Sequence, residues 1–293
     1  MSRSLGAGGR PPVLVTGVPR SGTTWLARAL AGAPGTALTG REPMNPRGHQ
    51  YGLAGSLHGW SRLTVLTRRQ RLALLSAYRG LNPFVYSRYG HRQWAAPWPG
   101  TRVVVKDPFA LLSIPAVRSA TGAVPVLIYR HPAAVLASYR RMGWTADLDE
   151  VAAALGQTPT PCPERFQATS GADDAWAMAQ FWTLLHAQAL EDLAALDEGV
   201  IVSHEAVATG GDAAMRTLFA RLGLAWDPSA ASARPADGER RAADPQALHN
   251  LDRAPETVAS SWRTRVSPAE LELVELAAGP TLREMEERSI DLS

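Results

Sequence analysis

A single cysteine, Cys162, stands among 293 residues, which excludes an intrachain disulfide and any thiolate metal cluster. It lies between Pro161 and Pro163, the setting of a loop residue rather than of a reactive thiolate. Lysine is as scarce: of 30 basic residues 29 are arginine, and Lys106 is the exception. Heavy use of Ala, Arg, Gly and Pro points to a GC-rich coding bias that places Arg wherever positive charge alone matters. The one retained Lys then marks a position where a compact ammonium is needed and a guanidinium does not substitute. No apolar run approaches the length of a bilayer span, and Met1 to Pro12, rich in Gly, Ser and Arg, lacks the apolar stretch of a signal peptide. These absences point to a cytoplasmic protein without stable membrane insertion. Acid and base nearly balance, 27 against 30, giving a net charge of +3 and a pI of 9.3. No Lys/Arg block is dense enough for a nucleic-acid footprint, so no nucleic-acid partner is expected. An apolar fraction of 45% and an aromatic fraction of 7% are those of a globular protein with a full core.

What is present is an alternation of β-branched runs and helical patterns. Val13 to Gly17, Ala37 to Gly40, Arg102 to Lys106, Val124 to Tyr129 and Gly199 to Ser203 read as strands. Helices are expected over 23–32, 68–79, 132–143, 173–196, 212–222 and 268–287, the last capped by Ser267 with Pro268 following. This is an α/β chain built on a parallel sheet flanked by helices. The expected organisation is a disordered tail over 1–12 and one domain over 13–293. The stretch from His49 to Pro99, rich in aromatic and basic residues, reads as a substrate-side excursion, and 226–255 as a mobile connection. Parallel sheets bind ligands beyond the carboxyl ends of their strands. Arg20, Ser21 and Thr23, then Lys106 and Asp107, then Arg130, then Ser203, His204 and Glu205 should therefore converge.

The most informative of these strand ends is Gly17-Val18-Pro19-Arg20-Ser21-Gly22-Thr23-Thr24-Trp25. Two glycines five positions apart, after a strand and before a helix, let backbone N–H groups encircle an anion at the helix start, as in a P-loop. A nucleoside triphosphatase needs Lys after the second glycine, and this chain has Thr23, with the cation moved into the loop as Arg20. That exchange argues against ATP hydrolysis. Arg130 at a strand end and Ser138 eight residues on, two turns along the next helix, can hold a second phosphate apart from the first. Two anion cradles without a metal-binding carboxylate pair suggest a nucleotide phosphorylated at two positions.

PRSGTTW, Lys106-Asp107-Pro108-Phe109, Arg130 with Ser138, the late strand ending in His204-Glu205, and Trp262-Arg263 before the last helix together resemble the sulfotransferases that use 3′-phosphoadenosine-5′-phosphosulfate (PAPS). The nearest pattern is that of the tyrosylprotein and carbohydrate branches. The resemblance spans about 13–288 and implies the sulfotransferase fold. It also implies that Arg20, Ser21, Gly22, Thr23 and Thr24 bind the 5′-phosphosulfate, that Arg130 and Ser138 bind the 3′-phosphate, and that Trp25 or His204 lies near the adenine. Lys106 then offsets charge on the leaving group. The cytosolic aryl and steroid members place a His where this chain has Pro108. Glu42, 22 residues after Arg20 and just before Pro43, matches the catalytic glutamate of the other branches and is the expected base, with His49, His58 and His91 in reserve. His204 replaces the usual Tyr. Ser261 replaces a usual basic residue, leaving Arg253, Arg263 and Arg265 as candidates for the 3′-phosphate.

The expected activity is transfer of sulfonate from PAPS to a hydroxyl of a small-molecule, sugar or lipid acceptor by a soluble bacterial enzyme, with PAP as product and no metal. The acceptor and the oligomeric state stay open, a homodimer among the alternatives. A small-molecule kinase on the same loop is the first competing reading, and it requires a Lys at Thr23. A PAP-binding module without chemistry is the second, and the presence of both Lys106 and Glu42 weighs against it.

Overall fold

The computed structural model describes residues 10–48, 52–53, 55–196, 198–227 and 261–292. In chain order the elements are β1 (Val13–Thr16), α1 (Thr23–Ala31), β2 (Thr36–Gly40), α2 (Arg68–Tyr78), β3 (Tyr86–His91), β4 (Arg102–Lys106), α3 (Ile114–Thr121), β5 (Val124–Tyr129), α4 (Pro132–Met142), α5 (Leu148–Leu155), α6 (Ala172–Leu196), β6 (Val200–Ser203), α7 (His204–Arg221) and α8 (Pro268–Arg288). The six strands form one sheet in the order β3-β2-β4-β1-β5-β6. Every neighbouring pair is parallel except β2 and β3.

Strand periodicity sorts side chains between the two faces. Val13 and Val15 of β1, Val104 of β4 and Val126 and Ile128 of β5 pack with Leu26 and Leu30 of α1 and Leu218 and Phe219 of α7. Leu14, Val103 and Val105 face the other way, onto Leu74 and Tyr78 of α2 and Val117 of α3. Leu127 and Tyr129 meet the buried helix α6 through Phe181, Trp182 and Leu185. Both faces are covered, which explains the near-continuous apolar reading of the central strands.

Helix starts follow their caps. Thr67 with Gln70 opens α2, and Ser267 with Glu270 opens α8, each as a reciprocal capping box. The expected strands and most expected helices are present, with four differences. β3 joins the sheet antiparallel at its edge, although Tyr86-Ser87-Arg88-Tyr89-Gly90-His91 has no apolar alternation; its pairing to β2 is irregular and only partly buried. α3 and α5 are short and carry too little pattern to stand out in the sequence. α7 starts at His204 rather than at Asp212: Ser203 caps it through Ala206 N–H, and the glycine pair that reads as a stop kinks the helix at Gly211 instead.

Residues 1–9 of the expected tail lie outside the described residues. Arg10 to Pro12 are tied to the sheet region: Val124 N–H donates to the Pro12 carbonyl at 2.8 Å and Arg102 Nε to that of Pro11 at 2.7 Å. Of the expected connection over 226–255, residues 228–255 lie outside the described residues as well.

Candidate active site

The carboxyl ends of β1, β2, β4, β5 and β6 open into a cleft of about 700 Å³. On its floor the β1–α1 loop turns sharply, with Ser21 N–H donating to the Val18 carbonyl at 3.0 Å. Two glycines make that path. A Cβ on Gly17 would lie 2.1 Å from the Ile128 carbonyl oxygen, and one on Gly22 (φ 94°) would lie 2.6 Å from the His204 ring. Arg20 itself is left-handed (φ 77°), an unusual conformation for a residue with a Cβ. It aims Arg20 across the cleft, where its Nε donates to Ser138 Oγ at 3.1 Å. Helix α1 then begins with no acidic residue in its first turn, leaving its N-terminal amides and dipole open to an anion.

Three arginines converge here. Arg130, at the end of β5 and only 7% exposed, donates to the Arg20 carbonyl at 3.4 Å. Its own carbonyl accepts the Trp182 indole N–H at 3.0 Å, so core helix α6 holds this strand end in place. Arg141 lines the cleft one helical turn beyond Ser138. Burial first, then the charges of Arg141 and Arg130, lowers the proton affinity of Arg20. Arg130 is lowered by burial and by Arg141, against the opposing pull of Glu205. Guanidiniums titrate too high to lose their protons at neutral pH, so the protein holds mutually repelling cations beside a helix N-terminus. Such a site favours a polyanion.

On the facing wall Lys106 Nζ and Glu42 Oε1 form an ion pair between the ends of β4 and β2. The second carboxylate oxygen of Glu42 accepts from the Asn45 side-chain amide. Beneath them, Asp107 is fully buried and accepts from Met44 N–H at 2.6 Å and from Phe109 N–H at 3.1 Å. One carboxyl thus ties the turn carrying Glu42 to the loop carrying Lys106. Burial, then the Glu42 charge, pushes Asp107 up to about 8, against the two amide hydrogen bonds and Lys106. The sign of the consequence follows from proton linkage. Between about pH 4 and 8 the folded chain retains a proton that the unfolded chain releases, so this group's contribution to stability falls as pH rises through that window. Asp107→Asn is therefore expected to flatten the fall of the thermal midpoint over this range, by a slope of about one proton, in melts taken every half pH unit. An unchanged slope counts against a retained proton.

Expected residues partition clearly. Arg20, Gly22, Thr23, Thr24, Trp25, Glu42, Lys106, Arg130, Ser138 and His204 all line the cleft. Ser21 is fully buried and does not line it, and neither its Oγ nor His204 Nδ1 has a hydrogen-bond partner among the described residues. Burial and Arg130 lower His204 to about 3, so its imidazole is neutral. His58 and His91 do not line the cleft, and His49 lies outside the described residues. Arg263 sits over the Trp262 ring, 4.9 Å from its centroid; neither it nor Arg265 lines the cleft, and Arg253 is outside the described residues.

The sequence reading put Trp60 in its substrate-side stretch and Phe109 in its motif but missed Arg47, Tyr139, Trp144 and Asp147 of the outer wall. Trp60, Phe109, Tyr139 and Trp144 supply aromatic surface, with Trp60 and Phe109 rings 4.6 Å apart. Arg47 Nη2 contacts both oxygens of Asp147, at 2.8 and 2.9 Å, and Asp147 also accepts from the Trp60 indole at 3.3 Å. Nothing local links residues a hundred positions apart. Arg141 was legible, since it stands three residues beyond Ser138 on one helix face.

The model of the sulfotransferase family matches residues 11–228. The chain belongs to that family. Among solved structures this sulfotransferase is similar to the sulfotransferase domain of the Synechococcus PCC 7002 olefin synthase, at 18% identity over 94% of this chain and 98% of that one, with a TM-score of 0.47. It is also similar to sulfotransferase STF1 of Mycobacterium tuberculosis H37Rv, at 16% identity over 75% and 69%, with a TM-score of 0.34. No curated protein matches it. No helix among the described residues is long and apolar enough to cross a membrane.

Proposed function

We propose that this sulfotransferase, as one domain over 13–293, transfers sulfonate from PAPS to an acceptor hydroxyl, with Glu42 as base. The observation that carries the reading is the pairing of Glu42 with Lys106 on the wall opposite the arginine-lined loop, inside one cleft. The donor set fits a nucleotide with two separated anionic ends. The α1 amides, Thr23, Thr24 and Arg20 would hold the phosphosulfate, while Arg130, Ser138 and Arg141 would hold the 3′-phosphate. The orphaned His204 Nδ1 is a buried polar atom on the cleft wall of the kind a bound ligand satisfies, whereas the fully buried Ser21 does not line the cleft. PAPS brings a sulfonate on a phosphate leaving group.

Lys106 is engaged by Glu42. Donor binding offers its ammonium oxygens of greater charge, and as it turns to them the carboxylate is released toward the acceptor side. Asn45 then keeps one Glu42 oxygen fixed while the other takes the hydroxyl proton. Lys106 offsets the charge growing on the leaving oxygen. Trp60, Phe109 and Trp144 favour a ring-bearing or otherwise apolar acceptor among small-molecule, sugar and lipid hydroxyls.

The test is a screen of acceptor hydroxyls with PAPS, read as a mass gain of one sulfonate. Lys106→Ala is expected to lower turnover by about a hundredfold on any acceptor found. Transfer that needs ATP and magnesium instead of PAPS would overturn the reading.

A further inference from the structure

The Glu42–Lys106 pair stands at the surface of the cleft, each side chain 15% exposed, whereas the carboxyl behind it is sealed: Asp107 has no exposed surface and does not line the cleft. Its hydrogen bonds reach three elements. Asp107 N–H donates to the Val15 carbonyl at 2.9 Å, which fixes it against β1 just before the Arg20 loop. Its Oδ1 accepts from Phe109 N–H, capping the short helical turn Pro108–Ser113, and its Oδ2 accepts from Met44 N–H at 2.6 Å. A cap needs only the first oxygen. The second reaches across 63 positions to a turn that Asn45 N–H closes on the Glu42 carbonyl at 3.2 Å, the turn that carries the base.

The surroundings are apolar. Met44, Tyr78, Val105 and Ala110 belong to one buried cluster. The titratable groups that act on Asp107 are Glu42 at the end of β2, Lys106 just before it, and Tyr78 of α2, whose buried hydroxyl has no hydrogen-bond partner among the described residues. Burial disfavours a carboxyl here, and a serine would cap the same turn without that penalty.

We propose, on the reading that Glu42 and Lys106 carry out the transfer, that Asp107 is the positioning residue of that pair: its hydrogen bond to Met44 sets how the Glu42 carboxylate stands against the Lys106 ammonium. It lies behind the cleft wall and acts only through the two residues in front of it. Ionisation of Asp107 works against the same pair. Its carboxyl, pushed up to about 8 by burial and then by Glu42, is neutral at pH 7. Once ionised, it puts a second negative charge beside Lys106, which holds the ammonium back and opposes the charge growing on the leaving oxygen. Turnover should therefore fall as pH rises through about 8.

Lys106 is the single lysine, so the chain labelled with carbon-13 at lysine Cε gives one side-chain signal. In the wild type that signal is expected to titrate with an inflection near pH 8, and to lose it in Asp107→Asn and in Asp107→Ser. Both substitutions keep an oxygen for Phe109 N–H, and neither keeps one for Met44 N–H. On an acceptor found in the PAPS screen, both should lower kcat by about ten- to a hundredfold, leave PAP affinity within about twofold of wild type, and abolish the alkaline fall. A wild-type kcat in either variant, an alkaline fall that survives in both, or loss of PAP affinity in step with kcat overturns the proposal. So does a wild-type Lys106 signal without the inflection, a result that needs no variant. If the wild type transfers no sulfonate while the inflection is present and both variants lose it, the reading of the cleft fails and the hold of Asp107 on this pair stands.

Discussion

Glu42→Gln is expected to lower turnover by about a hundredfold or more, the usual worth of a positioned general base, while PAP binds as it does to wild type. The expectation follows from what surrounds the residue. Glu42 is held by Lys106 on one oxygen and Asn45 on the other. A glutamine amide keeps the same length and can keep both contacts, its oxygen toward Lys106 and its nitrogen toward the Asn45 carbonyl after a flip of that side chain. The fold and the cation are therefore preserved, and only the capacity to take a proton is lost. Stopped assays with saturating acceptor report turnover, and calorimetric titration with PAP reports the nucleotide site. Full activity in the variant removes Glu42 from the chemistry and sends the search for a base elsewhere, since neither His58 nor His91 lines the cleft.

Arg130→Ala is expected to weaken PAP binding by about 2–3 kcal/mol, roughly 30- to 150-fold, because a phosphate in a largely desolvated site loses a charge-assisted partner. The strand end should stay in place, since the Trp182 indole holds the Arg130 carbonyl and not its side chain. Relief of repulsion on Arg20 and Arg141 offsets part of any lost stability, while Glu205 loses a nearby cation that had opposed the upward push of burial on it. The effect should fall on the KM for PAPS more than on kcat. Unchanged PAP affinity places the second phosphate away from β5.

Much of the fold was legible because the strands that build it are buried on both faces and read as apolar runs, and because helices such as α8 announce themselves through caps. β3 was not legible. Its partner, rather than its own alternation, makes it a strand, and that partnership forms across a long intervening stretch. The start of α7 was misplaced for a related reason: a glycine pair is a local stop signal, and packing of the helix on both sides of Gly211 overrides it. The site shows the same division. Residues that follow strands could be placed in one crevice from topology alone, and the cleft gathers Arg20, Lys106, Arg130, Ser138 and His204. The outer wall, made by Arg47, Trp60, Trp144 and Asp147, depends on contacts between the turns carrying Arg47 and Trp60 and the α4–α5 connection. Asp107 was expected to converge with the other strand-end residues, but its role as the buried tie between two turns was not legible. Its two amide hydrogen bonds join turns whose meeting no local pattern encodes.

The most direct test of the cleft's assignment is calorimetric titration of the purified chain with PAP, ADP and ATP in the absence of metal. The proposed hold of Arg130, Ser138 and Arg141 on a 3′-phosphate predicts that PAP binds at least about tenfold more tightly than ADP, with the preference gone in Arg130→Ala. Equal affinity for PAP and ADP, or tighter binding of ATP, would contradict it.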